Sequence, residues 1–400
     1  MKIAILTEGH PTFTKGIASY VNEKSRRFKA LQDDTLIVDS YMLRSDYTPF
    51  LKWLLKQKGC NVETFKRHEE KCIVGDVEYN CIWHTIGICD LFLYSKLGID
   101  FLRRKFRKKI APILASYDVI CTHKTDCHVI GAFMWKHYNI PYVATWHGSD
   151  INVHPYENKM IRKSVIETIE NAGQNLFVSE ALMKASEKLT DKGSKDVIYT
   201  GAAAHFEEYS EEKKRELKKK KNVKGCKVVS FTGNLIPVKN VMVLPEIFAA
   251  VDRKYKKERV KFWIVGNGYL EKDLKEALER EKLDFTFLGK VQQKNMPDIY
   301  NCVDVNVLPS VNEGFSLVNV EARSCGVNVV GSRIGGIPES IGQDENCFDL
   351  DDKFIDRISN RIVDILKNGE KPKPLSEEFS WDYAVQKELK ICKVLTEMRK

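Results

Sequence analysis

Short apolar segments alternate with amphipathic segments through the first half of the chain. The apolar segments carry hydrophobic residues at consecutive positions, as in Ile3-Ala4-Ile5-Leu6, which is typical of parallel strands covered by helices on both faces. Apolar residues at helical spacing over residues 17–28 and 165–171 predict helices between these strands. The predicted strands are residues 2–7, 35–39, 118–123, 142–147 and 176–179. This alternation predicts an α/β domain built on a doubly wound parallel sheet.

A second alternating series begins after a charge-dense stretch at residues 207–224. Its predicted strands are residues 227–232, 260–265, 284–288, 304–308 and 328–330. The chain has 400 residues, whereas single cores stop growing at roughly 250 to 300 residues, so two domains are expected. We predict a first domain at residues 1–205, a charged linker at 206–225, a second domain at 226–370 and a C-terminal segment at 371–400. In that last segment Ser380 is the expected N-cap of a final helix.

Composition narrows the class of protein without identifying a ligand. The N-terminal residues lack the pattern of a secretory signal and no segment is apolar enough to span a bilayer, so a cytoplasmic location is predicted. The 11 cysteines are an odd number without a Cys-x-x-Cys pair, and we expect reduced core residues, not disulfides or zinc ligands. A formal charge of +9 favours anionic partners but does not choose among nucleotide phosphates, anionic lipids and nucleic acid.

The most informative motif follows the predicted strand at residues 304–308. Ligands of open parallel sheets bind beyond the carboxyl ends of the strands, so the loop at residues 309–316 is a candidate site. Glu313 lies in this loop, and Glu321 lies about two turns into the helix that follows. The helix N-terminus offers unpaired amide donors to a diphosphate, and the carboxylates can accept hydrogen bonds from sugar or ribose hydroxyls. A hydroxyl-rich ligand that carries phosphate is therefore expected.

Residues 309–322, together with Gly326, Ser332 and residues 335–339, resemble the E-x7-E signature of the GT-B retaining glycosyltransferases of family four. The resemblance extends over nearly the whole chain and weakens at about residues 41–99. It implies a GT-B fold, in which two doubly wound Rossmann-like domains face a central cleft and the last helix packs back on the N-terminal domain. It also implies that the C-terminal domain binds a nucleotide sugar and the N-terminal domain the acceptor.

The same resemblance assigns roles to individual residues of the motif. Glu313 is expected near the donor sugar and Glu321 on the ribose hydroxyls. The backbone amides expected near the diphosphate and sugar are those of Gly314, Phe315, Ser316 and Leu317.

A second loop, at residues 231–240, follows the first strand of the second domain. It resembles the Gly-Arg-Leu and Lys segment of the family, whose two cations bind the diphosphate. Gly233 and Lys239 match, and a lysine there can offset the charge of a departing diphosphate without a metal ion. Asn234 occupies the position where the family has arginine and supplies a donor without a charge. As a lone residue, Lys239 is more typical of a solvated surface than of a ligand site.

Two further candidate residues belong to the first domain. Gly16 lies at the mouth of a helix after the first strand and resembles part of the family's glycine loop, although only one of the two usual adjacent glycines is present. His147 ends a predicted strand and is expected by resemblance to face the donor sugar, with Gly148 and Asp150 matching beside it. For His123, a purely structural role remains an equal alternative.

Two other motifs do not support their usual functions. Gly266-Asn267-Gly268 follows a strand, but Glu271 occupies the third glycine position of a dinucleotide fingerprint, which argues against a nicotinamide enzyme. Residues 349–351 have the spacing of an acidic metal motif but precede a helix, where acidic residues normally cap. We therefore predict no metal requirement and no cofactor. No nucleic-acid module accompanies the positive charge, so nucleic-acid binding is not expected.

Residues 101–110 combine six basic residues with an apolar helical face. Two interpretations stay open: contact with an anionic membrane surface, which would place the protein peripherally on the inner face of the membrane, or a solvated helix over the core.

The expected activity is retaining transfer of a sugar from a UDP or GDP sugar to a saccharide or lipid-linked acceptor, with Glu313, His147 and Lys239 as the catalytic residues. The resemblance suggests surface polysaccharide or glycolipid assembly. Two alternatives remain: another GT-B chemistry, such as an epimerase or a phosphorylase, and a catalytically silent module that binds a nucleotide sugar or a membrane. The sequence does not specify the base, the sugar, the acceptor or the oligomeric state.

Overall fold

The computed structural model describes residues 1–9, 17–58, 68–97 and 109–399. The predicted donor-binding residue Gly16 and residues 101–108 of the basic segment lie outside this part of the chain. The chain divides into a first unit, Met1–Ile198 with Asp382–Lys400, and a second unit, Tyr199–Trp381. Each unit is an α/β structure, and we describe each by itself.

The first unit is built on a sheet with the strand order β3-β4-β2-β1-β5-β6-β7-β8. Neighbouring strands run parallel except for the antiparallel hairpin of β3 and β4. The strands are β1 (Lys2–Glu8), β2 (Ile37–Tyr47), β3 (Lys71–Val74), β4 (Val77–Ile86), β5 (Val119–His123), β6 (Tyr142–Trp146), β7 (Gln174–Phe177) and β8 (Lys195–Val197).

Helices flank the strands of this sheet. They are α1 (Ile17–Ala30), α2 (Pro49–Gln57), α3 (Ile88–Leu97), α4 (Thr125–Tyr138), α5 (Ser149–Asn152), α6 (His154–Glu157), α7 (Lys159–Asn171) and α8 (Glu180–Glu187), with residues 109–114 also helical. Residues Ile3 to Leu6 of the central strand β1 are completely buried, as their consecutive apolar positions predict.

The second unit contains a wholly parallel sheet with the order β11-β10-β9-β12-β13-β14. Its strands are β9 (Cys226–Thr232), β10 (Arg259–Val265), β11 (Phe285–Gly289), β12 (Val305–Leu308), β13 (Asn328–Ser332) and β14 (Cys347–Phe348). Its helices are α9 (Glu211–Lys220), α10 (Leu244–Lys254), α11 (Glu271–Arg280), α12 (Met296–Tyr300), α13 (Leu317–Ser324), α14 (Ile337–Ile341) and α15 (Phe354–Asn368). The order is that of a doubly wound sheet, as predicted.

The unit boundaries differ from the predicted domain boundaries. Residues 206–225, expected as a linker, form part of the second unit: they include α9, and Phe206 and Val223 are buried in its core. The charge density of α9 reflects a solvated face, because none of its residues is buried. The C-terminal segment divides at residue 381, and the last helix, α16 (Trp381–Arg399), is assigned from Asp382 onwards to the first unit.

No helix in the described ranges has the length and apolar character needed to cross a membrane.

Candidate functional site

The sheet of the second unit changes its winding direction between β9 and β12. From β9 the chain proceeds to β10 and β11 on one side, and from β12 it proceeds to β13 and β14 on the other. The loops after these two neighbouring strands therefore leave the sheet at a topological switch point, where open α/β sheets bind ligands. The amide of Val311 donates to the carbonyl oxygen of Val238 at 3.0 Å, which joins the two loops.

Lys239 and Glu313 meet at this switch point. Lys239 ends a 3-10 turn that begins at Pro237, and its ammonium group donates to the Glu313 carboxylate. The two side chains are 19% and 17% exposed, so both are accessible to a ligand without being freely solvated. The structure thus brings together the cation and the carboxylate that the sequence predicted from separate loops.

The backbone of Glu313 is held by a glycine pair. The amide of Gly336 donates to the Glu313 carbonyl oxygen at 3.2 Å. Gly335 has a φ of +51°, and a Cβ atom built on it would lie 2.0 Å from the same oxygen. Only glycine satisfies both the left-handed conformation and this close approach.

The helix α13 begins directly after the loop that carries Glu313. Ser316 is its N-cap, and its hydroxyl accepts a hydrogen bond from the amide of Asn319 at 3.4 Å. Gly314 is buried, and the half-buried ring of Phe315 stacks on Phe379 with ring centroids 6.1 Å apart. The positive end of α13 therefore follows Glu313 closely in sequence and is fixed by its own cap and by aromatic packing.

Glu321 lies within α13, eight positions after Glu313. Burial raises the pKa of its carboxyl group to about 7, and the side-chain amide of Gln293 donates to it at 3.3 Å. A half-buried carboxylate that accepts a weak hydrogen bond can also accept hydrogen bonds from a pair of hydroxyls. The predicted role of Glu321 on a ribose stays a prediction.

The loop that holds Asn234 packs on the loop after β10. The amide of Gly233 donates to Val265 at 2.9 Å, and the amide of Leu235 donates to Asn267 at 3.0 Å. A Cβ atom on Gly266, whose φ is +129°, would lie 1.9 Å from the carbonyl oxygen of Gly233. Gly266 therefore supports the shape of the loop between Gly233 and Lys239, which accounts for a glycine that does not form a dinucleotide fingerprint.

In the first unit, His147 follows β6 at the carboxyl edge of the sheet. The buried carboxylate of Asp150 accepts hydrogen bonds from the amides of His147 and Gly148, at 3.2 Å and 2.8 Å. Gly148 has a φ of +144°. Asp150 and Gly148 thus form the turn that presents the His147 side chain.

His147 is the end of a chain of polar side chains that runs into the core. Its Nε2 atom lies 3.1 Å from Nδ1 of His123, and Nε2 of His123 lies 3.0 Å from Nζ of Lys24. The Lys24 ammonium group donates to Glu388 of α16 at 2.5 Å, with both side chains 1% exposed. Burial, followed by the charges of Lys24 and Lys124, lowers the pKa of His147 to about 3.

Lys24 and Glu388 were not identified from the sequence. A signal for Lys24 was present, because Tyr20, Lys24 and Phe28 share one face of α1 at a spacing of four residues, and a lysine on such an apolar face needs a partner. Glu388 lies 364 residues away from Lys24, and no local pattern indicates that pairing.

Within residues 1–9, 17–58, 68–97 and 109–399, no group of three or more His, Cys, Asp or Glu side chains is placed to bind a metal ion.

Residues 212–379 match the family described as glycosyl transferases group 1. The chain is 27% identical over 320 residues to an uncharacterized glycosyltransferase of Methanocaldococcus jannaschii, covering 74% of this chain and 81% of that protein. It is also 27% identical over 269 residues to the N-acetyl-alpha-D-glucosaminyl L-malate synthase of Bacillus anthracis, covering 65% of this chain and 68% of the relative.

Among solved structures, the Anabaena protein HepE in complex with UDP superimposes with a TM-score of 0.68 at 19% identity, covering 100% of this chain and 99% of HepE. At this identity the likeness concerns the fold alone. It confirms the predicted GT-B fold.

Proposed function

We propose that the chain transfers a sugar from a nucleotide diphosphate sugar to a saccharide or lipid-linked acceptor, with retention of anomeric configuration. The match of residues 212–379 to the glycosyl transferases group 1 family supports this proposal. The pairing of Lys239 with Glu313 at the switch point of the second sheet carries this proposal. One group suits an anionic leaving group and the other suits sugar hydroxyls. HepE, which shares the fold, binds UDP, and this supports a nucleoside diphosphate as the ligand.

Lys239 and the N-terminal amides of α13 form the diphosphate subsite in this proposal. As the bond between the anomeric carbon and the diphosphate oxygen breaks, negative charge grows on the leaving group. A cation and oriented amide donors stabilise that charge without reorganising. Lys239 must loosen its contact with Glu313 to reach a phosphate oxygen, which leaves Glu313 to accept a hydrogen bond from a donor sugar hydroxyl.

The acceptor hydroxyl attacks the anomeric carbon on the face from which the diphosphate departs. The new bond joins the acceptor oxygen to that carbon, and the acceptor proton passes to a diphosphate oxygen. His147 is proposed to contact the donor sugar. The scheme requires no metal ion, because Lys239 and the amides supply the positive charge, so turnover is expected to persist in EDTA.

The test begins with thermal stabilisation by UDP, GDP, ADP and their sugars, since a ligand that binds only the native state raises the melting temperature. The selected donor is then incubated with and without candidate acceptors and inorganic phosphate, and the anomeric configuration of the product is measured by NMR. Acceptor-dependent consumption with retention supports the proposal. Isomerisation without an acceptor indicates an epimerase, a need for phosphate indicates a phosphorylase, and binding without consumption indicates a silent module.

A peripheral membrane position is part of the proposal, because surface polysaccharide and glycolipid acceptors are carried by lipids. The helices α2 and α3 begin next to each other, where the amide of Thr48 donates to Ile86 at 2.9 Å. Phe50 and Trp53 of α2 are 60% and 56% exposed with their rings stacked at 6.0 Å, and Phe92 of α3 is 58% exposed. Exposed aromatic rings beside the exposed lysines at residues 56 and 58 suit the interface of an anionic bilayer.

A further inference from the structure

The buried pair of Lys24 and Glu388 lies behind His147 and is separated from it by His123. Neither side chain reaches the proposed donor site, since both are 1% exposed. A buried ion pair contributes little net stability, because its desolvation cost offsets its attraction. The pair lies at the inner end of the histidine chain, where it can determine the hydrogen bonding of both histidines.

The direction of each hydrogen bond follows from the charge on Lys24. An ammonium group only donates, so Nε2 of His123, 3.0 Å from Nζ, must carry a lone pair. The proton of the neutral His123 ring then lies on Nδ1, and it is donated to Nε2 of His147 across 3.1 Å. Nε2 of His147 is therefore an acceptor, and the proton of the His147 ring lies on Nδ1. Burial and the charge of Lys24 hold the pKa of His123 well below its ordinary value, in agreement with a neutral ring.

The Nδ1 atom of His147 has no hydrogen-bond partner in the described part of the first unit. The rings of Tyr20 and His147 pack edge to face with their centroids 4.8 Å apart, and this contact limits rotation of the His147 ring. The side chain thus offers one N–H donor at the carboxyl edge of the sheet, while its basic nitrogen faces inward and is occupied.

We propose that Lys24 and Glu388 are positioning residues that fix His147 as the Nδ1–H tautomer, so that His147 binds the donor sugar as a hydrogen-bond donor and not as a base. Glu388 accepts a hydrogen bond from the Lys24 ammonium group, Lys24 sets the tautomer of His123, and His123 sets that of His147. The helix α16 thereby acts on the site through three side chains without touching a ligand. The last step of this inference rests on the proposed function, whereas the tautomer itself does not.

The first experiment measures the tautomer in the full chain, with 15N-labelled histidine and long-range proton–nitrogen correlation spectra, using His147→Asn for assignment. A protonated Nδ1 and an unprotonated Nε2 on His147 are expected at neutral pH. A protonated Nε2 overturns the proposal whether or not the protein has activity.

The second experiment uses the double variant Lys24→Met/Glu388→Gln, because removing one member alone would leave an uncompensated buried group and endanger folding. The neutral pair should fold, release His123 and give a mixture of His147 tautomers. Turnover of the donor selected above should fall about tenfold, as for the loss of one hydrogen bond. The variant overturns the proposal if it folds and keeps the wild-type tautomer.

The matched control is Asp382→Asn. Asp382 pairs with Arg27 and so also links α16 to α1, but it is 85% exposed and lies outside the histidine chain. Its loss should leave the tautomer and turnover unchanged. If the tautomer is as expected but no nucleotide sugar is consumed, the proposed function fails and the positioning role stands. If turnover occurs with the opposite tautomer, the positioning role fails alone.

Discussion

The Lys239 ammonium group donates to the Glu313 carboxylate between the loops that follow β9 and β12. Each charge therefore neutralises the other at the switch point of the second sheet. A diphosphate that enters this place competes with Glu313 for the cation. The ion pair keeps the lysine side chain oriented before a ligand arrives, which lowers the cost of ordering it on binding.

Replacing Lys239 by alanine should lower turnover about a hundredfold, because one preorganised positive group at a developing anion contributes on that scale. Stability should change by less than about 1 kcal/mol, since the pair is partly solvated. Turnover with the selected nucleotide sugar and the melting temperature check both effects. The control is Lys254→Ala, which breaks an exposed pair with Asp356 in the same unit. Equal turnover in the wild type and Lys239→Ala would reject the role of Lys239.

Gly335→Ala should weaken donor binding by displacing the backbone of Glu313. The added Cβ would lie 2.0 Å from the Glu313 carbonyl oxygen, at a residue whose φ is +51°. Gly369→Ala provides the control, because Gly369 has a φ of +62° and open space around its Cβ position. In both variants, alanine in a left-handed conformation costs about 1 to 2 kcal/mol. The difference between their unfolding free energies therefore measures the clash at residue 335. Calorimetric donor affinity, unchanged in Gly369→Ala, should fall in Gly335→Ala; equal behaviour of the two would contradict the predicted coupling to Glu313.

The affinity for a nucleotide sugar should increase as the pH rises, because the Glu321 carboxyl group ionises. Burial raises the pKa of Glu321 to about 7, so the folded protein retains a proton that the unfolded chain releases above pH 4.5. The free energy of unfolding therefore falls as the pH rises from about 4.5 to 7. Ribose hydroxyls that donate to the carboxylate favour its ionised form and oppose this trend in the complex. Titration calorimetry between about pH 6 and pH 8 measures the effect, and Glu321→Gln should abolish it. The same pH dependence in both proteins would remove Glu321 from the donor site.

His147 should remain neutral wherever the protein is folded at moderate pH. Its pKa of about 3 lies below the ordinary histidine value of 6.5. Between these two pH values the unfolded chain binds a proton at His147 and the folded chain does not. The stability contribution is thus present above pH 6.5 and is lost as the pH falls toward 3. Relative to His147→Asn, the wild type should lose up to about 1.4 kcal/mol of unfolding free energy per pH unit in this window. Ring resonances of His147 that titrate between about pH 5 and pH 8 would contradict this.

Membrane binding should depend on the aromatic pair of α2. Phe50→Ser/Trp53→Ser is expected to lose co-sedimentation with vesicles that contain phosphatidylglycerol, because both exposed rings are removed from the contact. Tyr269→Ser/Met242→Ser removes two exposed apolar side chains from the second unit and should bind as the wild type does. Binding to neutral phosphatidylcholine vesicles should be weaker than to anionic ones. If the wild type binds neither kind of vesicle, the peripheral position is wrong.

The local pattern was sufficient to predict the central strands of both sheets, because they are apolar on both faces. It was insufficient at residues 41–99, where β2 extends to Tyr47 and the hairpin of β3 and β4 extends the sheet. The strands on this side of the sheet mix buried and exposed positions, as in the alternating burial of Lys71 to Val74 in the edge strand β3. Their pairing depends on register with distant residues.

The same distinction holds for the candidate site. Glu313 and Lys239 were predicted because each lies in a loop that follows a strand and matches a motif of the family that the sequence resembles. The strand order that brings them together follows from the fold. The pairing of Lys24 with Glu388 crosses 364 residues and becomes visible only when α16 is placed against α1. Sequence motifs identified the residues proposed to contact a ligand. The residues proposed to position them were identified only from contacts in the structure.

The chain passes between its two units after Ile198 and again after Trp381. A Cβ atom on Gly201 would lie 2.5 Å from the carbonyl oxygen of Phe379, so both connecting segments leave the second unit side by side. The second unit is therefore an insertion whose two ends are adjacent, and the first unit is its host. A gene that joins codon 198 to codon 382 through a short linker should encode the first unit, with residues 382–399 of α16 and the Lys24 pairing retained. We expect that the second unit of a related chain can replace this one at the same two junctions, which leaves both termini of the recipient chain unchanged.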